Sequence, residues 1–213
     1  SMEYYAKINP KQTIQEHTEK ALELYQQFRR QYPYLISDEE WELLELAIKY
    51  HDLGKANAIM QDFFYQKLNL PFPLKIDYSL PKIYHNHLSC AFIDFEEIIN
   101  KYGIENYDIL CKSIYHHHNR PETDKKILEY YIKNHLPKDI IYFSFPLLHH
   151  NLQTALNAEF TPYVDMQNSK IFKNPSMFRK YVMIKGLLHK IDYNASAMMD
   201  VIEEDVKDID GLS

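Results

Sequence analysis

Glycine is scarce, with four in 213 residues. Folds that depend on glycine at tight turns or against phosphates are therefore disfavoured, among them multi-hairpin sandwiches, dinucleotide folds and P-loops, and the composition leans helical. Cysteine is scarcer still. Cys90 and Cys111 each sit in an apolar stretch, and with no secretory signal they read as buried thiols before they read as a disulfide. No apolar run approaches the roughly 20 residues that span a bilayer, and no basic-then-apolar leader opens the chain. The expectation is a cytoplasmic protein with no membrane partner. Ser1 ahead of Met2 reads as a remnant of tag removal. Internal repeats and low-complexity segments are missing as well.

Excess charge is missing from most of the chain. The net charge is −6, but Asp200, Glu203, Glu204, Asp205, Asp208 and Asp210 face only Lys207, so this end carries most of it. From Lys170 to Lys190 the balance reverses, with Lys170, Lys173, Arg179, Lys180, Lys185 and Lys190 and no acid. Such a run is either a phosphate-attracting face or a solvated helix surface. The overall balance argues against strong stand-alone nucleic-acid binding and leaves room for a nuclease that is handed its substrate. At 46% hydrophobic and 25% charged, the chain has the make-up of one soluble core.

What the chain has in plenty is tyrosine, eighteen, and histidine, eleven. Histidine is the commonest metal ligand and general acid/base, so the histidine positions carry the functional argument. Thr13-Ile-Gln-Glu16 and Ser37-Asp-Glu-Glu40 have capping-box spacing and predict two helix starts. The first helix places His17 with Ile14, Ala21, Leu24, Tyr25 and Phe28 on one face. The second runs from Glu39 through Trp41, Leu44 and Ile48 to His51, which continues the buried stripe with Asp52 beside it. A Pro-rich loop is expected over 68–81, one helix over 86–102 ending at Gly103, and another over about 107–117. Asn119-Arg-Pro121 breaks the chain before a charged helix over 124–135. The stretch 140–160 is apolar enough for a helix after Pro146, with 140–145 alternatively extended. A polar loop over 161–175 precedes one long helix from Ser176 to about Val201, carrying Lys185, Leu188 and Asp192 near one face.

The most specific local feature is His51-Asp52-Leu53-Gly54-Lys55 at a helix end. Adjacent His and Asp offer a nitrogen and an oxygen ligand to one cation or to neighbouring cations, Gly54 lets the chain turn away, and Lys55 can meet an anionic substrate. His17, His85, the pair His117-His118 and Asp192 fall at other helix ends or core faces. Any one alone reads more simply as a hydrogen-bonded structural residue. As a set they can converge on one interior site, as ligands do in helical-bundle metal proteins.

In this order, His17, His51-Asp52-Leu-Gly-Lys55, His85-Asn-His-Leu-Ser89, His117-His118-Asn-Arg120 and Asp192-Tyr-Asn-Ala-Ser196, the chain resembles the metal-dependent HD superfamily. It is most similar to the HD nuclease domain of type I CRISPR interference. The resemblance implies an all-α helical bundle with a central metal site over residues 1–199, and an acidic tail or truncated helicase linker over 200–213. It implies metal ligation by His17, His51, Asp52, His85, His117, His118 and Asp192, with Asp52 and Lys55 catalytic and Lys55 near substrate phosphate. His87 competes with His85, and His116 with the following pair; the spacing from His85 to Ser89 and the position of Ile114 favour His85, His117 and His118. Asn119 stands where the family commonly has glycine. His149-His150 reads as a decoy pair. The implied chemistry is one- or two-metal phosphodiester hydrolysis of single-stranded DNA, and an imidazole-rich set suits Mn, Fe, Co, Ni or Zn better than Mg. The implied partners are a helicase, as a separate subunit or as a domain beyond this stretch of sequence, since no Walker motif occurs in it, and the crRNA-guided surveillance complex. Two other readings stand beside it: an HD phosphohydrolase of nucleotides or cyclic nucleotides, and a degenerate HD domain serving as a binding or regulatory module.

Overall fold

The computed structural model describes residues 2–167 and 169–197; the acidic stretch 200–213 lies outside them. The chain opens with a hairpin that the sequence reading did not anticipate. Strands β1 (Tyr5–Ile8) and β2 (Lys11–Thr13) pair antiparallel with Tyr5 opposite Thr13 and Ile8 opposite Lys11. Both are very short, and the turn uses Asn9-Pro10 in place of a glycine pair, so no hairpin signal stood out.

Two helices follow at the predicted capping boxes. Thr13 and Ser37 each accept the amide of the glutamate three residues on, and each glutamate reaches back, which starts α1 (Ile14–Gln31) and α2 (Asp38–Tyr50). α1 buries Ile14, His17, Thr18, Ala21 and Tyr25, with His17 fully inside. α2 buries Trp41, Leu44 and Ile48 and ends at His51. A single 3-10 turn, Leu53–Ala56, then redirects the chain into α3 (Ala58–Lys67). Residues 71–84 form no helix, as the prolines predict.

The expected single helix over 86–102 is divided. α4 (His85–Ser89) passes into a 3-10 turn, Cys90–Phe92, and α5 (Phe95–Tyr102) begins afresh with Asp94 as its N-cap, accepting the amide of Glu97. Cys90, Ala91, Phe92 and Ile93 are all fully buried; four consecutive inward residues do not fit one face of a regular helix. Gly103, at φ 89°, ends α5, and α6 (Ile104–Tyr115) starts directly after it. α7 (Lys125–Asn134) is capped by Asp124, and the short α8 (Leu136–Asp139) accommodates Pro137 in its first turn.

No helix forms over 140–160, contrary to the helical option. There Phe143, Phe145, Leu152, Ala158 and Phe160 turn inward individually. The Gln153 side chain donates to the carbonyls of Ile140 and Phe143, satisfying backbone that a helix would have paired. Two 3-10 turns, Thr161–Val164 and Lys170–Lys173, lead to α9 (Pro175–Ala197). α9 packs against α1, α2 and α6 through Ile184, Leu188, Ile191 and Ala195. The described chain is thus mostly helical, with one two-stranded hairpin, and none of its helices is long and apolar enough to cross a membrane. Cys90 and Cys111 are buried free thiols.

Candidate metal centre

Five segments bring ligand-type side chains together. The end of α2 and its following turn present His51 and Asp52, α1 presents His17, α4 presents His85, the end of α6 presents His117 and His118, and α9 presents Asp192. They fall into two groups, His17/His51/Asp52/Asp192 and His85/His117/His118, within each of which the ligand atoms lie within 4.8 Å of one another. Asp52 joins them: Oδ2 is 3.4 Å from Nε2 of both His17 and His51, and Oδ1 is 3.3 Å from Nε2 of His85. Asp192 Oδ1 closes the first group at 3.3 Å from His17 Nε2 and 3.2 Å from His51 Nε2.

Local structure aims these groups. His51 and His117 both stand just beyond a helix, and each directs Nδ1 at the carbonyl three residues back, Ile48 at 2.6 Å and Ile114 at 2.5 Å. A carbonyl only accepts, so both rings carry their proton on Nδ1 and turn Nε2 inward, the arrangement that fixes imidazole ligands. Asp52 has φ −104° and ψ 0°, the bridge region that lets the chain leave α2 while its carboxylate faces back. Ser89 holds α4 to the turn: its hydroxyl accepts the Gly54 amide at 2.8 Å and lies 2.7 Å from the His51 carbonyl and 2.8 Å from that of His85. Gly54 is required by contact, since a Cβ there would lie 1.9 Å from the His85 carbonyl oxygen.

Lys55, expected near substrate phosphate, lies beside Asp52. It is 5% exposed, with Nζ 3.6 Å from Asp52 Oδ2 and 3.5 Å from the Ala6 carbonyl of β1. The hairpin is fixed there by Gln61, which bonds the amide and carbonyl of Tyr5 and the carbonyl of Lys55. The immediate consequence is a buried cation that compensates the Asp52 charge.

The charges follow from this packing. Burial pushes the Asp52 and Asp192 carboxyls up, but His51 beside both, Lys55 and His85 at Asp52 and His17 at Asp192 hold them well below the usual range. Burial likewise disfavours a charged His51, yet Asp52 and Asp192 outweigh it and raise the imidazole to about 9. His117 is driven well down by burial and then by the neighbouring imidazoles of His118, His51 and His85, so it is neutral.

The site fits a divalent cation. Four contacts between ligand atoms in the first group are 3.2–3.4 Å, close to the roughly 3.0–3.5 Å edge of a coordination shell with bonds near 2.1 Å. In the second group, His117 Nε2 is buried with no hydrogen-bond partner among the described residues. A ligand explains such an atom better than a protein contact that is not there. The centre opens at its rim, where the Asp192 side chain is 16% exposed and His118 is half-buried.

The competing histidines point elsewhere. The His87 ring stacks on Tyr115 at 3.9 Å and its Nδ1 meets Thr123 Oγ1 at 2.7 Å. His116 Nε2 is 2.8 Å from the Val164 carbonyl. His150 joins neither group; it forms a separate one with Asp94 and Glu97, while its ring stacks on Tyr50. Sequence reasoning missed that third group, because Asp94 declares itself only as a helix cap. It missed the Gln61 clamp too, which no local pattern marks. Comparisons with family models, curated proteins and solved structures find no match in any of the three.

Proposed function

We propose that this chain is a metal-dependent phosphodiesterase of the HD type, a nuclease for single-stranded DNA in type I CRISPR interference that works with a helicase domain or subunit and the crRNA-guided surveillance complex. One observation carries the reading: seven ligand-type side chains from five segments meet in two groups that Asp52 links through its contact with His85. The HD-type sequence order supports the substrate class, and the rim at Asp192 and His118 gives a phosphodiester a way in.

His17, His51, Asp52 and Asp192 would hold one divalent cation, and His85, His117 and His118 a second beside it. When bound, such cations supply Lewis acidity to an attacking water and to the phosphate oxygens. The remaining work belongs to the chain. Asp52 orients both groups through its two oxygens, and Lys55 keeps that carboxylate anionic. Ile48 and Ile114 fix the tautomers of His51 and His117 through their carbonyls. The set, mostly imidazole, matches Mn, Co, Ni, Fe or Zn better than Mg.

The test is the purified chain supplied with Mn, Co or Ni: degradation of single-stranded DNA with duplex DNA spared is the expected result. Hydrolysis of nucleotides with none of DNA would make it a nucleotide phosphohydrolase. Failure both to retain metal and to cleave would make it a regulatory module.

A further inference from the structure

α9 reaches the centre with Asp192 and buries one face, but its opposite face is lined by large side chains in solvent. Phe178 is 41% exposed, Val182 46% and Tyr193 62%, and His189 is exposed as well. At about 100° per residue these four fall within about 60° of one another around the helix. Phe172, 57% exposed, extends the row, its ring 5.7 Å from that of Phe178. Lys185 and Asp192 flank the row on one side, within about 40° of Phe178 by the same geometry.

The charge around the row is one-sided. Arg179 and Lys180 are committed to Glu40 and Glu39. Lys173, Lys185 and Lys190 form no ion pair among the described residues; Lys185 and Lys190 lie over the rings of Tyr181 and Phe28. No acid occurs from 170 to 190. Exposed aromatics interleaved with uncompensated cations are the surface on which single strands bind, bases on rings and phosphates on ammonium groups.

We infer that the row Phe172, Phe178, Val182, His189 and Tyr193, with Lys185 at its edge, is the track along which a single strand lies as it approaches Asp192. This rests on the phosphodiesterase reading above and adds the strand's path. From Phe178 to Tyr193 the row spans about 22 Å, the length of about six nucleotides at the ~3.4 Å spacing of a stacked strand. Stacking is indifferent to base identity, so the track accepts any sequence.

The experiment pairs Phe178→Ala with Tyr193→Ala in the metal-loaded protein and measures fluorescence anisotropy with a labelled, phosphorothioate-linked oligothymidylate. Both side chains are outside the core, so metal content and thermal midpoint stay as in the unaltered chain. So does hydrolysis of bis(p-nitrophenyl) phosphate, a substrate too small to use the row. Affinity for the strand falls at least tenfold, and Tyr193→Trp retains it. Unaltered strand affinity in the double variant, with small-substrate hydrolysis intact, overturns the track alone and leaves the row to a protein partner. An unaltered chain that neither binds the strand nor hydrolyses the small diester overturns the phosphodiesterase reading and the track together.

Discussion

Asp52 and His85 meet at 3.3 Å between Oδ1 and Nε2, while the other oxygen of Asp52 faces His17 and His51 at 3.4 Å. One carboxylate of the first ligand group thus reaches the second through His85. Asp192 lies against His17 and His51 of the first. Asp52→Ala is expected to remove bound metal from both groups and abolish phosphodiester cleavage with the chain still folded, whereas Asp192→Ala leaves one ion per chain. His149→Ala leaves activity and metal content as they were. Elemental analysis of each variant, read beside its cleavage rate, checks all three; full metal retention in Asp52→Ala contradicts the linking role.

Gly54 allows the turn after Asp52 to lie directly on α4, with Ser89 tying the two together. Gly54→Ala places a methyl group 1.9 Å from a backbone oxygen that cannot rotate away. The turn and His85 must separate, at about 3 kcal/mol or more. The expected outcome is a lowered urea midpoint and loss of metal from the His85 group. Ser89→Ala strands the Gly54 amide and costs about 1–3 kcal/mol.

These contacts show how far local sequence pattern reaches. Capping boxes at Thr13 and Ser37 start their helices where expected, and the stripe ending at His51 does face the interior. Helix periodicity is local, so it is legible. His117 stands three residues after Ile114, but its bond runs to the Ile114 carbonyl, a backbone contact that the apolar side chain used in the sequence argument does not make. By contrast, the break at Ile93 and Asp94 and the non-helical path over 140–160 follow from burial against distant elements. The inward turn of Lys55 depends on a hairpin about fifty residues earlier.

His51 is raised to about 9, so at neutral pH the metal-free protein holds a proton on it. A cation must displace that proton. Metal uptake is therefore expected to release about one proton per chain at pH 7.5, and apparent affinity to rise about tenfold per pH unit up to about 9. Calorimetric titrations in buffers of different ionisation enthalpy measure the number released. Uptake without proton release contradicts it.

Asp139 supplies a pH dependence away from the centre. It is 9% exposed, and burial raises it to about 6 despite the hydrogen bond from Tyr131. A carboxyl raised on folding stabilises through its protonated form. That contribution is complete below the unfolded value near 4 and is lost as pH rises to about 6, a span of about 3 kcal/mol. Asp139→Asn stays neutral, so its stability relative to the unaltered protein should rise between pH 4 and 6 and level off above. Urea unfolding across that range is the measurement; a constant difference contradicts the assignment.

The basic run of α9 separates into two kinds of cation, and the two should respond differently to neutralisation. Arg179 lies 3.2 Å from Glu40, a carboxylate only 5% exposed that also completes the Ser37 capping box. Removing the guanidinium leaves a nearly buried charge with one partner fewer, so Arg179→Gln is expected to cost about 1 kcal/mol of stability. It should leave the salt dependence of strand binding unchanged. Lys185 has only the Tyr181 ring against its ammonium group among the described residues, and it sits on the side of α9 that leads to Asp192. Lys185→Gln should keep the thermal midpoint and reduce the slope of log affinity against log salt by about 0.7, the share of one phosphate contact on a single strand. Anisotropy titrations from low to moderate salt, with thermal melts of the same preparations, distinguish the two. If Arg179→Gln moved the slope and Lys185→Gln did not, the strand would run over the Glu40 side of the helix, away from the metal-ligand groups.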